Sequence, residues 1–282
     1  MAHGYSKGIP LKKNFGQHFL RDHGVVHRIT NAVPLDNNSS VFEIGCGDGF
    51  LTRAILEKPL ARLWVFEIDH QWATYVRSSI HDARLTVNEQ NILDLDFSIF
   101  EPYKPWILLA NLPYQVTFPI LRLLQRNRHL LQEGVIMVQE EVAEKILKTS
   151  GRGYGFPSLF FQYYFDWKKM EKIPPGAFYP PPKIYSRLLH FKPRMNIKPI
   201  ERESEFWKFI KICFRQPRRT LKNNLSQSHY SLDSISDQTL ALRAQQMSMD
   251  DFLNIWQHLK VAHHPSTNHE LVDHDDDHYD QE

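Results

Sequence analysis

Cysteine is nearly absent from this 282-residue sequence, which contains only Cys46 and Cys213, far apart in the chain. Because neither belongs to a CxxC pair, a disulfide framework and a cysteine-based zinc site are excluded, and we predict no metal site. Long apolar runs are also missing. The run Trp106–Ala110 is far too short to span a bilayer, and the N-terminus lacks the hydrophobic segment of a secretory signal. These absences predict a cytoplasmic protein with no membrane partner.

Basic residues are missing from the last twenty positions, which contain seven acidic residues and no Lys or Arg. Since the net charge of the whole chain is +2, the first 262 residues carry a surplus of nine positive charges. Such a surplus favours a polyanionic partner, nucleic acid above all. The acidic, histidine-rich tail at 263–282 has few core-forming side chains, and its composition predicts disorder.

Short apolar runs alternate with helical stretches in the first two thirds of the chain. The runs predicted as strands are Val41–Ile44, Leu63–Phe66, Leu85–Asn88, Trp106–Ala110 and Val135–Val138, with Ser186–Phe191 as a late edge strand. Because helices separate these strands and no hairpin signal joins them, the pattern predicts an α/β fold with a mostly parallel sheet.

The pattern changes at about Glu201, after which no strand is predicted. The predicted helices are Phe206–Phe214, Leu221–Ser226, Thr239–Gln245 and Met249–Leu259. We therefore predict an α/β domain at 1–195 and a small all-helical domain at 196–262, and we expect the protein to act as a monomer.

A glycine-rich turn, Gly45-Cys46-Gly47-Asp48-Gly49, follows the first predicted strand. Glycine permits a positive φ and lets a ligand approach the backbone. The spacing differs from the GxGxxG turn that binds a pyrophosphate. Glu43 precedes the turn, where a carboxylate suits an amino-bearing ligand, and Glu67 ends the next strand, where a carboxylate can hold both ribose hydroxyls. This combination favours S-adenosylmethionine over NAD; a tight turn with an incidental acid is the alternative.

The fourth predicted strand ends at Asn111-Leu112-Pro113-Tyr114, and ligands bind at this edge of parallel sheets. An adenine amine is a poor nucleophile because its lone pair is delocalised into the ring. Hydrogen bonds from the amine to Asn111 and to a main-chain carbonyl would localise that pair, and Pro113 would direct the carbonyls inward. Tyr114 offers a stacking face worth roughly 1–3 kcal/mol, comparable to the cost of extruding a base. Alone, the tetrapeptide is an ordinary turn, and it also suits methylation of cytosine or of glutamine amides.

Two groups of basic residues are candidates for binding RNA. They are Lys12 and Lys13 near the N-terminus and, at the start of a predicted helix, Arg215, Arg218, Arg219 and Lys222. Clustered basic side chains suit phosphates, although a solvated basic patch is the alternative.

Several collinear stretches resemble the small-subunit ribosomal RNA adenine dimethyltransferase family over about residues 11–260. They are Lys12–Leu20, Glu43–Gly49, Glu67–Asp69, Asn111–Thr117, Gln139–Ile146, Gly151–Gly155, Phe178–Ser186 and Phe214–Leu225. The resemblance implies a Rossmann-like methyltransferase sheet of seven strands with a small helical C-terminal domain. It also implies transfer of methyl groups from S-adenosylmethionine to N6 of two adjacent adenosines near the 3′ end of small-subunit rRNA, within the assembling ribosomal subunit.

The resemblance further assigns roles to single residues. The cofactor contacts that it implies are His18, Leu20, Gly45, Gly47, Glu67, Asn91 and Asn111. Phe178 would be a second aromatic wall beside Tyr114. The chain departs from the family at three positions, with His18 in place of Asn, Asn91 in place of Asp and Cys46 in place of Pro.

Two alternative functions stay open at this point. One is a methyltransferase of the macrolide-resistance type, which modifies one adenosine of large-subunit rRNA; Gly151–Gly155 and the extended basic helix motif favour the small-subunit enzyme. The other is a non-catalytic factor of the same fold, either a ribosome-assembly RNA chaperone or a mitochondrial transcription factor. The intact Asn111–Tyr114 and Glu67 argue against lost catalysis.

Overall fold

The structure is a computed structural model that describes residues 5–12 and 17–259. Lys13 and the tail at 263–282 lie outside the described residues. The chain divides into two compact units, residues 1–200 and 201–282, a little after the predicted division at 195. Within the described ranges, no helix has the length and apolar character needed to cross a membrane.

A seven-stranded sheet forms the centre of the first unit. Its strands in chain order are β1 Ser40–Ile44, β2 Arg62–Glu67, β3 Leu85–Glu89, β4 Trp106–Asn111, β5 Leu131–Gln139, β6 Phe165–Ile173 and β7 Ser186–Pro193. They lie in the order β3-β2-β1-β4-β5-β7-β6, in which the first five are parallel and β7 runs antiparallel to both of its neighbours. The predicted mostly parallel methyltransferase sheet is confirmed.

The prediction of an edge strand at Ser186–Phe191 is wrong, because β7 lies inside the sheet between β5 and β6. The edge strand on this side of the sheet is β6, and no apolar run in the sequence predicts it. Only the ends of β6 are buried, and its middle holds Lys168 and Lys169. This polar composition hides the strand from a search for apolar runs and is typical of an edge that must avoid further strand pairing.

Helices cover the faces of the sheet. In the first unit they are α1 His23–Asn31, α2 Phe50–Leu56, α3 His70–Ser79, α4 Thr117–Arg126, α5 Glu140–Leu147 and α6 Phe156–Tyr164. The Asp69 carboxylate caps α3 by accepting the Gln71 N–H at 3.1 Å, and Gly49 starts α2 with φ of 78°. Both α2 and α3 therefore begin at the edge of the sheet where β1 and β2 end.

The second unit is helical, as predicted. Its helices are α7 Glu203–Cys213, α8 Leu221–Leu225, α9 Asp237–Leu240 and α10 Met249–His258, which enclose an aromatic core containing Phe206, Phe209, Phe252 and Trp256. The predicted helix Thr239–Gln245 is wrong. α9 stops at Leu240 and a separate 3-10 turn begins at Ala244, because the Leu242 carbonyl leaves the helical path to accept the Leu221 N–H at 2.6 Å.

Candidate active site

A cavity of about 320 Å³ lies at the carboxyl edge of the parallel strands. The strands β1, β2 and β4 lie side by side and end there, so they bring Gly45, Glu67 and Asn111 to one place. The other predicted residues that line the cavity are His18, Gly47, Asn91, Leu112, Pro113 and Tyr114. Its volume is at the lower end of the usual range for small-molecule sites.

The glycine turn forms the floor of this cavity. Gly45 has φ of 72° and donates its N–H to the Phe66 carbonyl at 2.8 Å. Gly47 has φ of 52°, and a Cβ at this position would lie 2.5 Å from the Phe19 ring. A side chain at Gly47 is therefore excluded twice, by backbone strain and by collision with the N-terminal segment.

Glu67 joins the glycine turn to the start of α3. One carboxylate oxygen accepts the Gly47 N–H at 3.0 Å, and the other accepts the Asp69 N–H at 2.9 Å. Burial raises the pKa of Glu67, opposed by these two hydrogen bonds, which favour the charged form. The carboxylate is thus held in one orientation while its remaining lone pairs can accept from a ligand's hydroxyls.

Asn91 also lines the cavity, and its side-chain amide makes hydrogen bonds within its own turn. Its Oδ1 accepts the Leu93 N–H at 3.1 Å, and its Nδ2 donates to Asp94 at 2.9 Å. The amide therefore fixes the turn that brings Ile92 and Leu93 to the cavity wall. Through the Nδ2 bond, a carboxylate stays beside this turn although position 91 lacks the family's Asp.

The Asn111 side-chain amide has a hydrogen-bond partner for Nδ2 but none for Oδ1 among the described residues. Its Nδ2 donates to the His18 carbonyl at 3.3 Å. Its Oδ1 is buried and has no hydrogen-bond partner among the described residues. A buried acceptor without a donor is costly, so this oxygen marks where a ligand's N–H or O–H belongs.

Tyr114 is the aromatic wall of the site. Its hydroxyl lies 2.6 Å from the Ser186 hydroxyl, and its ring stacks on the His18 ring with centroids 6.0 Å apart. Burial raises the pKa of Tyr114 above its ordinary value, so the ring is uncharged at neutral pH. The Leu112 N–H is bound by the Met137 carbonyl at 3.1 Å, which fixes the turn to the sheet.

Inward-pointing main-chain carbonyls are predicted for this turn, and the carbonyl of Pro113 is already occupied by two donors. This carbonyl accepts the Val116 N–H at 3.2 Å and the Thr117 hydroxyl at 3.1 Å, and so it serves the start of α4. Pro113 instead approaches the glycine turn, since its Cγ would lie 3.5 Å from a Cβ built on Gly45.

Three of the predicted catalytic and cofactor-binding residues do not line the cavity. Leu20 and Phe178 are paired in a short two-stranded ladder, and both side chains belong to the buried core. Phe178 is therefore not a second wall beside Tyr114 in this structure. Glu43 is buried behind the glycine turn, where it accepts the Thr52 hydroxyl at 2.6 Å.

The sequence of this chain is similar to the sequences of one known protein family. The family model for ribosomal RNA adenine dimethylases matches residues 9–260. The chain belongs to this family. A relative named Ribosomal RNA small subunit methyltransferase A, from Syntrophotalea carbinolica, is 35% identical over 86% of this chain and 94% of its own. A second relative of the same name, from Chlorobium phaeobacteroides, is 33% identical over 89% of this chain and 92% of its own.

Solved structures agree on the fold of this ribosomal RNA adenine dimethylase. A dimethyladenosine transferase from Plasmodium falciparum superposes with a TM-score of 0.73, at 21% identity, over 86% of this chain and 99% of its own. The 23S rRNA methyltransferase ErmE superposes with a TM-score of 0.66, at 19% identity, over 85% and 98%. Since both enzymes have this fold, the fold alone does not separate them.

The methyl donor of the family is S-adenosylmethionine, and the residues of this dimethylase fit it. Glu67 would hold the ribose hydroxyls, the Gly45–Gly47 backbone would face the methionine part, and the turn after Asn91 would face the adenine. The fit rests on the fixed Glu67 carboxylate, the open glycine backbone and the unsatisfied Asn111 oxygen beside them.

Long-range hydrogen bonds and ion pairs hold the N-terminal segment of the dimethylase against the glycine turn and the start of α3. Arg21 donates to both oxygens of Asp48, at 3.2 and 2.7 Å. Lys12 and Gln17 donate to the two oxygens of Asp69, at 2.8 and 3.1 Å. These partners are 27 to 57 positions apart in the chain, so no local pattern indicates them.

Lys12, a predicted RNA-binding residue, pairs with Asp69 while its side chain stays 42% exposed, so its role toward RNA stays a prediction. The Asp69 side chain is fully buried, and a buried carboxylate requires a cationic or hydrogen-bonding partner. Lys12 and Gln17 supply such partners, at 2.8 and 3.1 Å.

The buried Glu43 should make the free energy of unfolding depend on pH. Burial raises its pKa from 4.5 to about 8, so the native protein keeps this carboxyl protonated at neutral pH, whereas the unfolded chain does not. The native state therefore binds the extra proton between pH 4.5 and about 8, and its stability falls as the pH rises through that window. We expect Glu43→Gln to remove a slope of up to about 1.4 kcal/mol per pH unit.

Urea unfolding of both proteins at several pH values measures this effect as a difference between them. Glutamine keeps a carbonyl for Thr52, so the comparison isolates the proton. Parallel stability curves for Glu43→Gln and the unaltered protein would show that Glu43 is ionised in the native state.

Three of the four basic candidates of the second unit lie between α7 and α8, and the fourth, Lys222, lies in the first turn of α8. Arg215, Arg218, Arg219 and Lys222 are all exposed. The buried Asn224 holds the turn that carries them, because its amide accepts the Gln216 N–H at 3.0 Å and donates to the Gln216 carbonyl at 3.2 Å. The cluster is thus a fixed array of positive charge.

Proposed function

We propose that this dimethylase transfers methyl groups from S-adenosylmethionine to N6 of two adjacent adenosines near the 3′ end of small-subunit rRNA. We further propose that it works in the cytoplasm as a monomer on the assembling small subunit. The curated relatives described above, which match most of the chain, are named as small-subunit methyltransferases and so support this substrate.

One observation supports the catalytic assignment above the others: the buried Oδ1 of Asn111 has no donor. Tyr114 and His18, whose rings stack on each other with centroids 6.0 Å apart, line the same cavity and offer an aromatic surface. A flat, N–H-bearing ligand satisfies both features at once. An adenine base is such a ligand.

In the proposed mechanism, the residues of the site orient the amine, and no strong general base is needed. Asn111 accepts one amine N–H and draws the nitrogen lone pair out of conjugation with the ring. Tyr114 holds the base plane, and the bond to Ser186 holds Tyr114. When bound, S-adenosylmethionine supplies an electrophilic methyl group. The methylated amine loses its proton readily, so positioning contributes most of the acceleration.

The basic cluster is proposed to bind RNA phosphates. We expect the triple variant Arg215→Gln, Arg218→Gln and Arg219→Gln to bind rRNA more weakly and to reduce the slope of log K against log salt by about 2 to 3, at 0.7–0.9 for each lost contact. Titrations of rRNA binding at several salt concentrations measure the slope. Arg126→Gln, which removes an exposed arginine from the far end of α4, is the matched control. Equal slopes for the triple variant and the unaltered protein would contradict the assignment.

The large-subunit enzyme is the second candidate. Mass spectrometry of rRNA decides between the two after undermethylated small and large subunits are incubated separately with the purified protein and labelled cofactor. We expect dimethyladenosine at two adjacent positions of small-subunit rRNA. Label only in large-subunit rRNA would replace the proposed substrate, and label in neither would support a non-catalytic factor.

A further inference from the structure

The segment Phe178–Ser186 borders the cavity without contributing to its lining. At its start, Tyr179 is paired with Phe19 of the N-terminal segment. The Pro180 carbonyl then accepts from the His18 ring at 2.7 Å. At its end, Ser186 binds the Tyr114 hydroxyl. The segment thus contacts two stacked residues that line the cavity, His18 and Tyr114.

The side chains of this segment turn apolar surface outward. Pro182 is buried and anchors it. Tyr179 is 45% exposed, Ile184 39% and Tyr185 47%. Single exposed apolar residues are common on proteins, but several together beside a cavity indicate a binding surface.

Positive charge surrounds these rings. The Lys172 ammonium lies 4.6 Å from the centre of the Tyr185 ring, and Lys183 is exposed in the same segment. The nearby acid Glu140 lies 4.0 Å from the Lys172 ammonium, and Arg187 also binds both of its oxygens, at 2.8 and 2.5 Å. Because Arg187 neutralises Glu140, the lysines leave a net positive surface.

We propose that Tyr179, Tyr185, Lys172 and Lys183 form a tyrosine rim that binds single-stranded RNA on either side of the target adenosine. The inference rests on the proposed function only in taking RNA as the substrate. Extruding a base from its stack exposes the faces of its neighbours. Exposed tyrosine rings can cover those faces with little regard to sequence, while the lysines contact the phosphates.

The test uses the full-length protein and fluorescence anisotropy with a short, labelled single-stranded RNA that contains two adjacent adenosines. We expect Tyr185→Ala to raise Kd at least about fivefold, the lower limit for one lost base stack. Tyr185→Phe keeps the ring and should stay within about twofold of the unaltered protein.

Tyr103→Ala is the matched control. Tyr103 is 42% exposed and has a cation, the Arg62 guanidinium, 4.1 Å from its ring centre. It lies three residues before the start of β4, at the amino ends of the parallel strands, whereas Asn111 lies at the carboxyl end of β4. Its removal should leave Kd unchanged.

Lysine variants provide a readout that a purely structural role would not move. Lys172→Gln should reduce the slope of log K against log salt by about 0.7, the value for one phosphate of a single strand. Lys104→Gln, beside Tyr103, should leave the slope unchanged. All variants should bind S-adenosylmethionine as the unaltered protein does when measured by calorimetry.

The inference is overturned if Tyr185→Ala and Tyr103→Ala bind the RNA equally, or if the unaltered protein does not bind it. It is also overturned if rim variants lose binding to ribosomal particles but not to the single strand, because the rim would then face a protein. Methylation of small subunits by the unaltered protein is scored separately. The proposed function can therefore stand while the rim fails, or the reverse.

Discussion

Asn111→Ala should lower the rate of methyl transfer by about 10²–10³-fold, by analogy with the loss of one preorganised hydrogen-bonding group at a reacting centre. The variant lacks the Oδ1 that we propose meets the target amine, and without that contact the lone pair would stay in the ring. RNA binding should stay nearly intact, because the basic cluster lies in the other unit. Single-turnover methylation of undermethylated small subunits measures the rate, and filter binding measures the affinity.

Asn111→Asp separates the two ends of this side chain. Aspartate keeps an acceptor for the amine but cannot donate to the His18 carbonyl as Nδ2 does. We expect it to be more active than Asn111→Ala. If both variants are equally inactive, the contact with His18 carries the effect, and if Asn111→Ala still transfers methyl groups, the catalytic assignment is wrong.

Glu67→Ala should weaken S-adenosylmethionine binding by about 100-fold, because two hydrogen bonds from ribose hydroxyls to a charged acceptor are lost. Calorimetry measures the affinity. The Gly47 and Asp69 N–H groups also lose their acceptor, so thermal unfolding must accompany the experiment. Unchanged cofactor affinity would contradict the ribose assignment.

The pH dependence of binding tests the same carboxylate without a substitution. Burial raises the pKa of Glu67 above 4.5, and hydroxyls that donate to the carboxylate favour its charged form. Cofactor binding should therefore release a proton. The affinity should fall with decreasing pH at values where an ordinary glutamate is still ionised. A flat profile above pH 4.5 would show that Glu67 titrates normally in the free protein.

Local patterns in the sequence predict the parallel half of the fold well. Buried parallel strands are continuous apolar runs, and those runs are visible in the sequence without tertiary information. β6 escapes prediction because its polar residues face solvent at the edge of the sheet. α9 is cut short by a hydrogen bond between Leu242 and Leu221, which no local propensity indicates.

In the candidate site, too, the sequence predicts some features and misses others. Residue types at strand ends predict Gly45, Glu67 and Asn111 at one cavity, because parallel strands bring their carboxyl ends together. The direction of a side chain is less predictable. Glu43 and Phe178 belong to motifs, yet both side chains are buried away from the cavity. The bonds from Arg21 to Asp48 depend on tertiary structure alone.

The antiparallel strand β7 has a consequence for biosynthesis. Its first residue, Ser186, binds Tyr114, and the ring that stacks on Tyr114 belongs to His18, near the start of the chain. Residues from both ends of the first unit must therefore emerge from the translating ribosome before the pocket can close. Domains generally fold as units during synthesis. A nascent chain that stops before β7 should accordingly lack a finished pocket, which delays any activity until nearly the whole first unit has been made.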